Sequence, residues 1–147
     1  MKKLFVTLSL LFAFTTLTSA QDFSMSAILS EAAPIIELVE GEYNQEIVRM
    51  EYDIISSTTK SSYRELVAGY TYGIFAFGDY RIKDLDIRVY KSVDGEWILV
   101  KKDEEAQDPA IVFIEPSVTG TYRIDISAYE FESGYSAAHY GLIICHE

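Results

Sequence analysis

Asp84-Leu85-Asp86-Ile87-Arg88-Val89-Tyr90-Lys91-Ser92-Val93-Asp94-Gly95-Glu96-Trp97 is the segment that sets the fold class. Leu85, Ile87 and Val89 alternate with Asp84, Asp86, Arg88 and Tyr90, the period-two pattern of a strand with one buried face. Asp94-Gly95 then supplies the residue pair that a tight hairpin turn favours, and residues 96–101 read as the return strand. The same alternation recurs downstream, where Tyr122, Ile124 and Ile126 point one way and Arg123, Asp125 and Ser127 the other. Residues 110–114 and 140–145 read as two more strands. Upstream, residues 70–77 form an apolar, aromatic run without a polar face, expected to be a central strand buried on both sides. Residues 63–67 are a shorter strand, and Val48, Met50, Tyr52 and Ile54 alternate with Arg49, Glu51 and Asp53 in the first. About eight strands separated by turn signals predict an all-β, antiparallel sandwich rather than a parallel α/β sheet.

The N-terminal region is different in kind. Lys2 and Lys3, an apolar stretch over residues 4–14, and Thr18-Ser19-Ala20 have the order of a secretory signal, with cleavage expected before Gln21. The apolar stretch is too short to span a bilayer comfortably, and no cysteine follows it as a lipoprotein would require. Between residues 23 and 39, Met25, Ile28, Leu29, Ala32, Ile36 and Val39 recur at helical spacing, with Pro34 interrupting the run. One kinked helix or two short ones, ending near Gly41 and packed on the sandwich, is the expectation. The predicted organisation is therefore a signal peptide at 1–20, a helical segment at 21–45 and a β-sandwich domain at 46–147. A bacterial protein exported to the periplasm or exterior, with no membrane insertion after cleavage, follows from it.

Composition narrows the function classes. The 147 residues are 49% hydrophobic and 24% charged, the balance of a folded domain. The net charge is −11; without Lys2 and Lys3, 10 basic side chains face 23 acidic ones, about −13. A surface that negative repels phosphate backbones and anionic lipids, which excludes nucleic acid as a partner. A single cysteine, Cys145, cannot build an internal disulfide framework.

The strand Asp84-Leu85-Asp86-Ile87-Arg88-Val89-Tyr90, the Asp94-Gly95 turn, Asp108-Pro109, the corner Pro116-Ser117-Val118-Thr119-Gly120-Thr121-Tyr122 and the closing Tyr140-Gly141-Leu142 occur in an order that resembles the bacterial pre-peptidase C-terminal domains. The resemblance covers roughly residues 63–144 and implies a jelly-roll-like β-sandwich of a secreted protein. Some members of that family bind calcium in sandwich loops. The family domain usually trails a protease or another catalytic domain, whereas here it follows a helical segment, and the cysteine pairs of some relatives are missing.

Two constellations are candidates for binding. Asp84, Asp86, Asp103 and Asp108 are the candidate metal ligands, with Asp79, Glu104 and Glu105 nearby in sequence. Calcium takes six to eight oxygens from flexible carboxylates and carbonyls, so these acids read either as a Ca2+ site or as a solvated acidic face. Tyr80, Tyr90 and Tyr135 are the candidate ligand-binding rings, with Tyr129 and Phe131 beside them in loops or at strand edges. They read either as a platform for sugars or as ordinary cross-strand packing. Trp97, just after the hairpin turn, is assigned to the core.

Catalysis has little support. His139, Cys145 and His146 are close in sequence, but neighbouring strand residues point to opposite faces, and no third member orients a nucleophile. The expectation is an exported non-catalytic β-sandwich that recognises a ligand, protein or glycan. A calcium-dependent carbohydrate-binding module is the alternative, and an enzyme with an unrecognised carboxylate site comes third.

Overall fold

Eight antiparallel strands follow a helical segment in the computed structural model, which describes residues 24–147. The expected signal peptide lies outside the described residues. The order is α1 (Ser26–Ile36), β1 (Glu46–Ile55), β2 (Lys60–Leu66), β3 (Tyr72–Gly78), β4 (Ile82–Val93), β5 (Glu96–Asp103), β6 (Ala110–Ile114), β7 (Gly120–Phe131) and β8 (Ala138–His146). First pairs with last and so on inward: β1 with β8, β2 with β7, β3 with β6, β4 with β5. This is one long hairpin rolled over on itself. Two further pairings, β3 with β8 and β4 with β7, knit it into four-stranded sheets of order β1-β8-β3-β6 and β2-β7-β4-β5. The architecture is a jelly-roll β-sandwich.

The β4–β5 hairpin shows why the chain folds this way locally. Asp94 and Gly95 have φ of +51° and +86°, the left-handed pair that a two-residue hairpin turn with the right twist requires. Leu85, Ile87 and Val89 are fully buried and lie in register with Ala128, Ile126 and Ile124 of β7. With Ile74, Leu142 and Ile144 from the other sheet they form the main core.

A second core lies on the outer face of the first sheet. There Ile28, Ala32, Ile35 and Val39 pack against Phe75, Phe77, Ile143 and Cys145. Strands β3 and β8 are thus covered on both sides, as the featureless apolar run at 70–77 predicts. Phe77 lies across β8 at Gly141, where an added Cβ would come within 2.3 Å of the ring.

Two expectations change. The helical stripe facing the sheet is Ile28, Ala32, Ile35 and Val39, while Met25 and Leu29 are exposed. Pro34 lies inside the helix, the single-helix form of the two expected, and the helix widens into a π-type turn over Glu37–Glu42, close to its expected end at Gly41. In β1 a bulge between Ile47 and Arg49 inverts the phase. Beyond it Glu51 and Asp53 sit opposite the core residues Leu142 and Tyr140, and Met50 and Ile54 face solvent. The inward-facing acids are tolerated because β1 and β2 are edge strands at the same open margin of the sandwich. There Lys60 Nζ donates to Asp53 at 2.7 Å and the Ser62 hydroxyl to Glu51 at 2.7 Å.

Candidate functional site

The turn from β3 to β4 carries a polar knot that sequence reading did not assemble. Asp79, Arg81 and His139 are all at least 96% buried. Arg81 donates from its backbone N–H and Nε to Asp79 Oδ1 at 3.1 and 2.9 Å, and from Nη2 to Oδ2. The backbone N–H of His139 donates to Asp79 Oδ2 at 3.1 Å, and Arg81 Nη2 lies 3.0 Å from His139 Nδ1. A guanidinium only donates, so that ring nitrogen accepts. Burial works to raise the Asp79 carboxyl, but hydrogen bonds from Arg81 and His139 hold it below the usual aspartate range. The knot clamps the start of β8 to the β3–β4 turn. It is shut off from solvent, which suits a structural clamp rather than a reactive centre.

The expected metal ligands do not converge. Asp84 and Asp86 line one cleft of about 370 Å³, together with Arg88, Glu104, Ala106 and Tyr129. Asp103 turns the other way. Its Oδ2 accepts from the Ile111 N–H at 2.8 Å and its Oδ1 from the Glu105 N–H at 3.1 Å, so it shapes the β5–β6 loop. Asp108 lies in a separate groove under α1, beside Glu31, Pro34 and Phe77, and accepts from the Gly78 N–H at 3.1 Å. The loop therefore brings Glu104 rather than Asp103 or Asp108 to Asp84 and Asp86. Among the described residues no three His, Cys, Asp or Glu side chains are grouped to hold a metal ion.

Within the cleft the negative charge is only partly compensated. Arg88 Nε donates to Glu104 at 2.6 Å, and Arg88 Nη2 reaches Asp86 at 3.4 Å. Asp84 is 6% exposed, and its Oδ1 has no hydrogen-bond partner. Burial raises the Asp86 carboxyl above its ordinary value; Arg88 opposes this, and Asp84, Glu104 and Asp103 add to it. Tyr129, 76% exposed, stands at the rim.

The candidate tyrosines separate into two groups. Tyr80 and Tyr135 meet edge to face, centroids 5.9 Å apart, over the β3–β4 turn, with the Arg81 guanidinium 5.7 Å from the Tyr80 ring. Tyr90 belongs to a different assembly, on the outer face of the second sheet. There each of the four strands contributes one residue: Tyr63 from β2, Arg123 from β7, Tyr90 from β4 and Trp97 from β5. The Arg123 guanidinium lies 4.4 Å from the Tyr90 centroid and 5.1 Å from that of Trp97, while the Tyr63 and Trp97 rings are 5.7 Å apart. Tyr63 is 56% exposed. Trp97, expected in the core, lies instead across the outer face. The register explains this, because Trp97 pairs with Ser92, two residues from Tyr90 on the outward side of β4. A strand-by-strand reading cannot reveal the assembly, since its four members come from positions 63 to 123.

The sequence-adjacent His–Cys group does not form a nucleophile. The buried Cys145 Sγ donates to Gln45 Oε1 at 3.0 Å, and burial pushes the thiol pKa up. His146 Nδ1 lies instead 2.6 Å from the Glu147 carbonyl.

No protein-family model matches the chain, and no curated protein matches it in sequence. Solved structures do. The chain is similar to a periplasmic lysozyme inhibitor of g-type lysozyme from Aeromonas hydrophila, at 13% identity over 67% of this chain and 85% of that one, with a TM-score of 0.50. The likeness is one of fold. A mitogen from Yersinia pseudotuberculosis is similar at 14% identity over 68% and 85% of the two chains, TM-score 0.49. The pre-peptidase C-terminal domain of a Bacillus anthracis collagenase is similar at 11% identity over 64% and 87%, TM-score 0.46. That domain type is the one the sequence motifs resemble.

Proposed function

We propose that the protein is an exported, non-catalytic β-sandwich that binds a basic protein partner through the outer face of its second sheet. The observation that carries this reading is the four-strand assembly of Tyr63, Arg123, Tyr90 and Trp97. Tyr, Trp and Arg are the residue types that concentrate binding energy at protein interfaces. In the other sheet α1 covers the outer face of β3 and β8, whereas the second sheet carries no such helical cover among the described residues. Arg123 already engages the Tyr90 and Trp97 rings, whereas a sugar platform needs a free ring face. An acidic chain of net charge −11 attracts a basic partner and speeds its approach. The fold is shared with an inhibitor that the solved structure describes as periplasmic, which supports an exported protein-binding role. Among the described residues no helix is long and apolar enough to cross a membrane.

The test places a photo-reactive side chain at Glu65, exposed on β2 beside Tyr63, and at Glu37 on the helical side, in the exporting cell. A discrete protein adduct from position 65 alone, lost in Trp97→Ala, is the expected result. Equal adducts from both positions would refute the face. Trp97-dependent binding on a glycan array, without a protein adduct, would replace it with the carbohydrate reading.

A further inference from the structure

We infer that the cleft between Asp84, Asp86 and Glu104 is a socket for one cationic side chain, an arginine or lysine presented by the partner. This rests on the proposed protein-binding face and deepens it. The cleft lies on the same outward side of β4, since Asp86, Arg88 and Tyr90 alternate along it opposite Ser127, Asp125 and Arg123. Four residues of strand separate Asp86 from Tyr90, roughly 14 Å, a distance that one interface spans easily.

Asp84 lines this cleft, is 94% buried, and has no hydrogen-bond partner at its buried Oδ1. A buried carboxylate oxygen left unmatched is costly, and a donor arriving from outside would relieve that cost. Arg88 does not do so, being directed to Glu104 and Asp86. Three carboxylates therefore share a single internal guanidinium, apart from Lys102, which reaches Glu104 from outside.

Size and shape select the class of cation. About 370 Å³ is the room of roughly a dozen waters, ample for a guanidinium or ammonium with part of its aliphatic stem. A bare calcium ion needs six to eight oxygens at about 2.3–2.6 Å, and no such convergence exists among the described residues. Tyr129 at the rim offers a ring to the stem or to a planar guanidinium.

The probe is n-butylguanidinium, followed by amide NMR on the full mature chain, with n-butylammonium, n-butanol and calcium chloride alongside. Saturable shifts at Asp84, Asp86, Ala106 and Tyr129 with either organic cation, and none with butanol, are expected. Asp84→Asn should weaken binding about tenfold, the loss of one charged hydrogen bond. Tyr129→Ala, at an exposed position, should weaken it a few-fold with the fold intact. Non-saturating shifts, unchanged affinity in Asp84→Asn, or calcium that saturates the same amides and displaces the organic cation would each overturn the socket. Trp97→Ala separates the two readings. Lost partner adducts with butylguanidinium binding retained support both; an adduct that persists refutes the aromatic face alone; absence of probe binding refutes the socket alone.

Discussion

Arg81→Met should be among the most damaging single substitutions in the chain. It keeps most of the side-chain volume but removes the guanidinium that compensates Asp79, a residue 1% exposed. Asp79 would then hold a buried charge on two backbone N–H groups, those of Arg81 and His139, each at 3.1 Å. Breaking a buried ion pair by deleting one partner costs about 3–5 kcal/mol. Against a typical total of about 5–15 kcal/mol, that is about a fifth of the stability or more. Urea unfolding followed by Trp97 fluorescence would read this as a midpoint lowered by roughly 2 M, for a slope of about 2 kcal/mol/M. The folded Asp79 carboxyl is depressed, so its contribution is present above the ordinary aspartate value and is lost as the pH falls through the depressed one. The gap between wild type and variant should therefore narrow in acid, where a protonated Asp79 no longer needs the guanidinium. Adding Asp79→Asn to Arg81→Met should recover part of the loss at neutral pH, because the amide oxygen can still accept from the backbone. A cost below about 1 kcal/mol, or a double variant weaker than the single, would refute the clamp.

Ile124→Ala should cost about 2–5 kcal/mol, since Ile124 is fully buried in the main core, while Asp125→Asn should cost about 1 kcal/mol or less; equal midpoints in urea would place the wrong face of β7 inward. Gly141→Ala should destabilise by about 1–3 kcal/mol through its contact with the Phe77 ring, with Phe77→Leu restoring part of the melting temperature; an unchanged melting point would contradict the close approach. Burial beside Gly78 pushes the Asp108 carboxyl up to about 6; the Gly78 N–H opposes this, and Glu31, Asp79 and Asp84 add to it. Its folded form holds the proton more tightly, so stability should fall as the pH rises from about 4 to 6, and Asp108→Asn should remove that slope. More than a third of Asp108 meets solvent, which limits the effect to about 1 kcal/mol; a slope unchanged in the variant would assign it to another group.

Several parts of the fold were legible because they depend on local chemistry. The left-handed pair at Asp94-Gly95 and the alternation of Leu85, Ile87 and Val89 concern neighbours in the chain, and both appear where the pattern puts them. The doubly buried β3 was legible for the same reason, as a run without a polar side. The helix was half legible: its existence followed from spacing, but spacing alone admitted Met25 and Leu29 to a stripe that the sheet meets at Ile28, Ala32, Ile35 and Val39. In β1 the alternation was real and its direction hidden, because a one-residue bulge turns every following side chain over.

The candidate site was legible only in fragments. Asp84 and Asp86 share a face because they are two residues apart in a strand, and that much period two determines. Whether Asp103, Glu104 or Asp108 joins them depends on how the β5–β6 loop is tied, and the Ile111 and Gly78 N–H groups settle it by taking Asp103 and Asp108. Composition and alternation specified a β-sandwich with inward rows at β4 and β7, since solvent sorts apolar from polar along each strand without reference to any other. Which strands lie side by side is a long-range matter. The pairing of β2 with β7 places Tyr63 beside Arg123, that of β4 with β7 brings Tyr90 to the same Arg123, and that of β3 with β8 carries His139 onto Asp79 from 60 residues away. Such contacts require the assembled sheets, because the energy that selects them comes from burying two faces together rather than from any one segment.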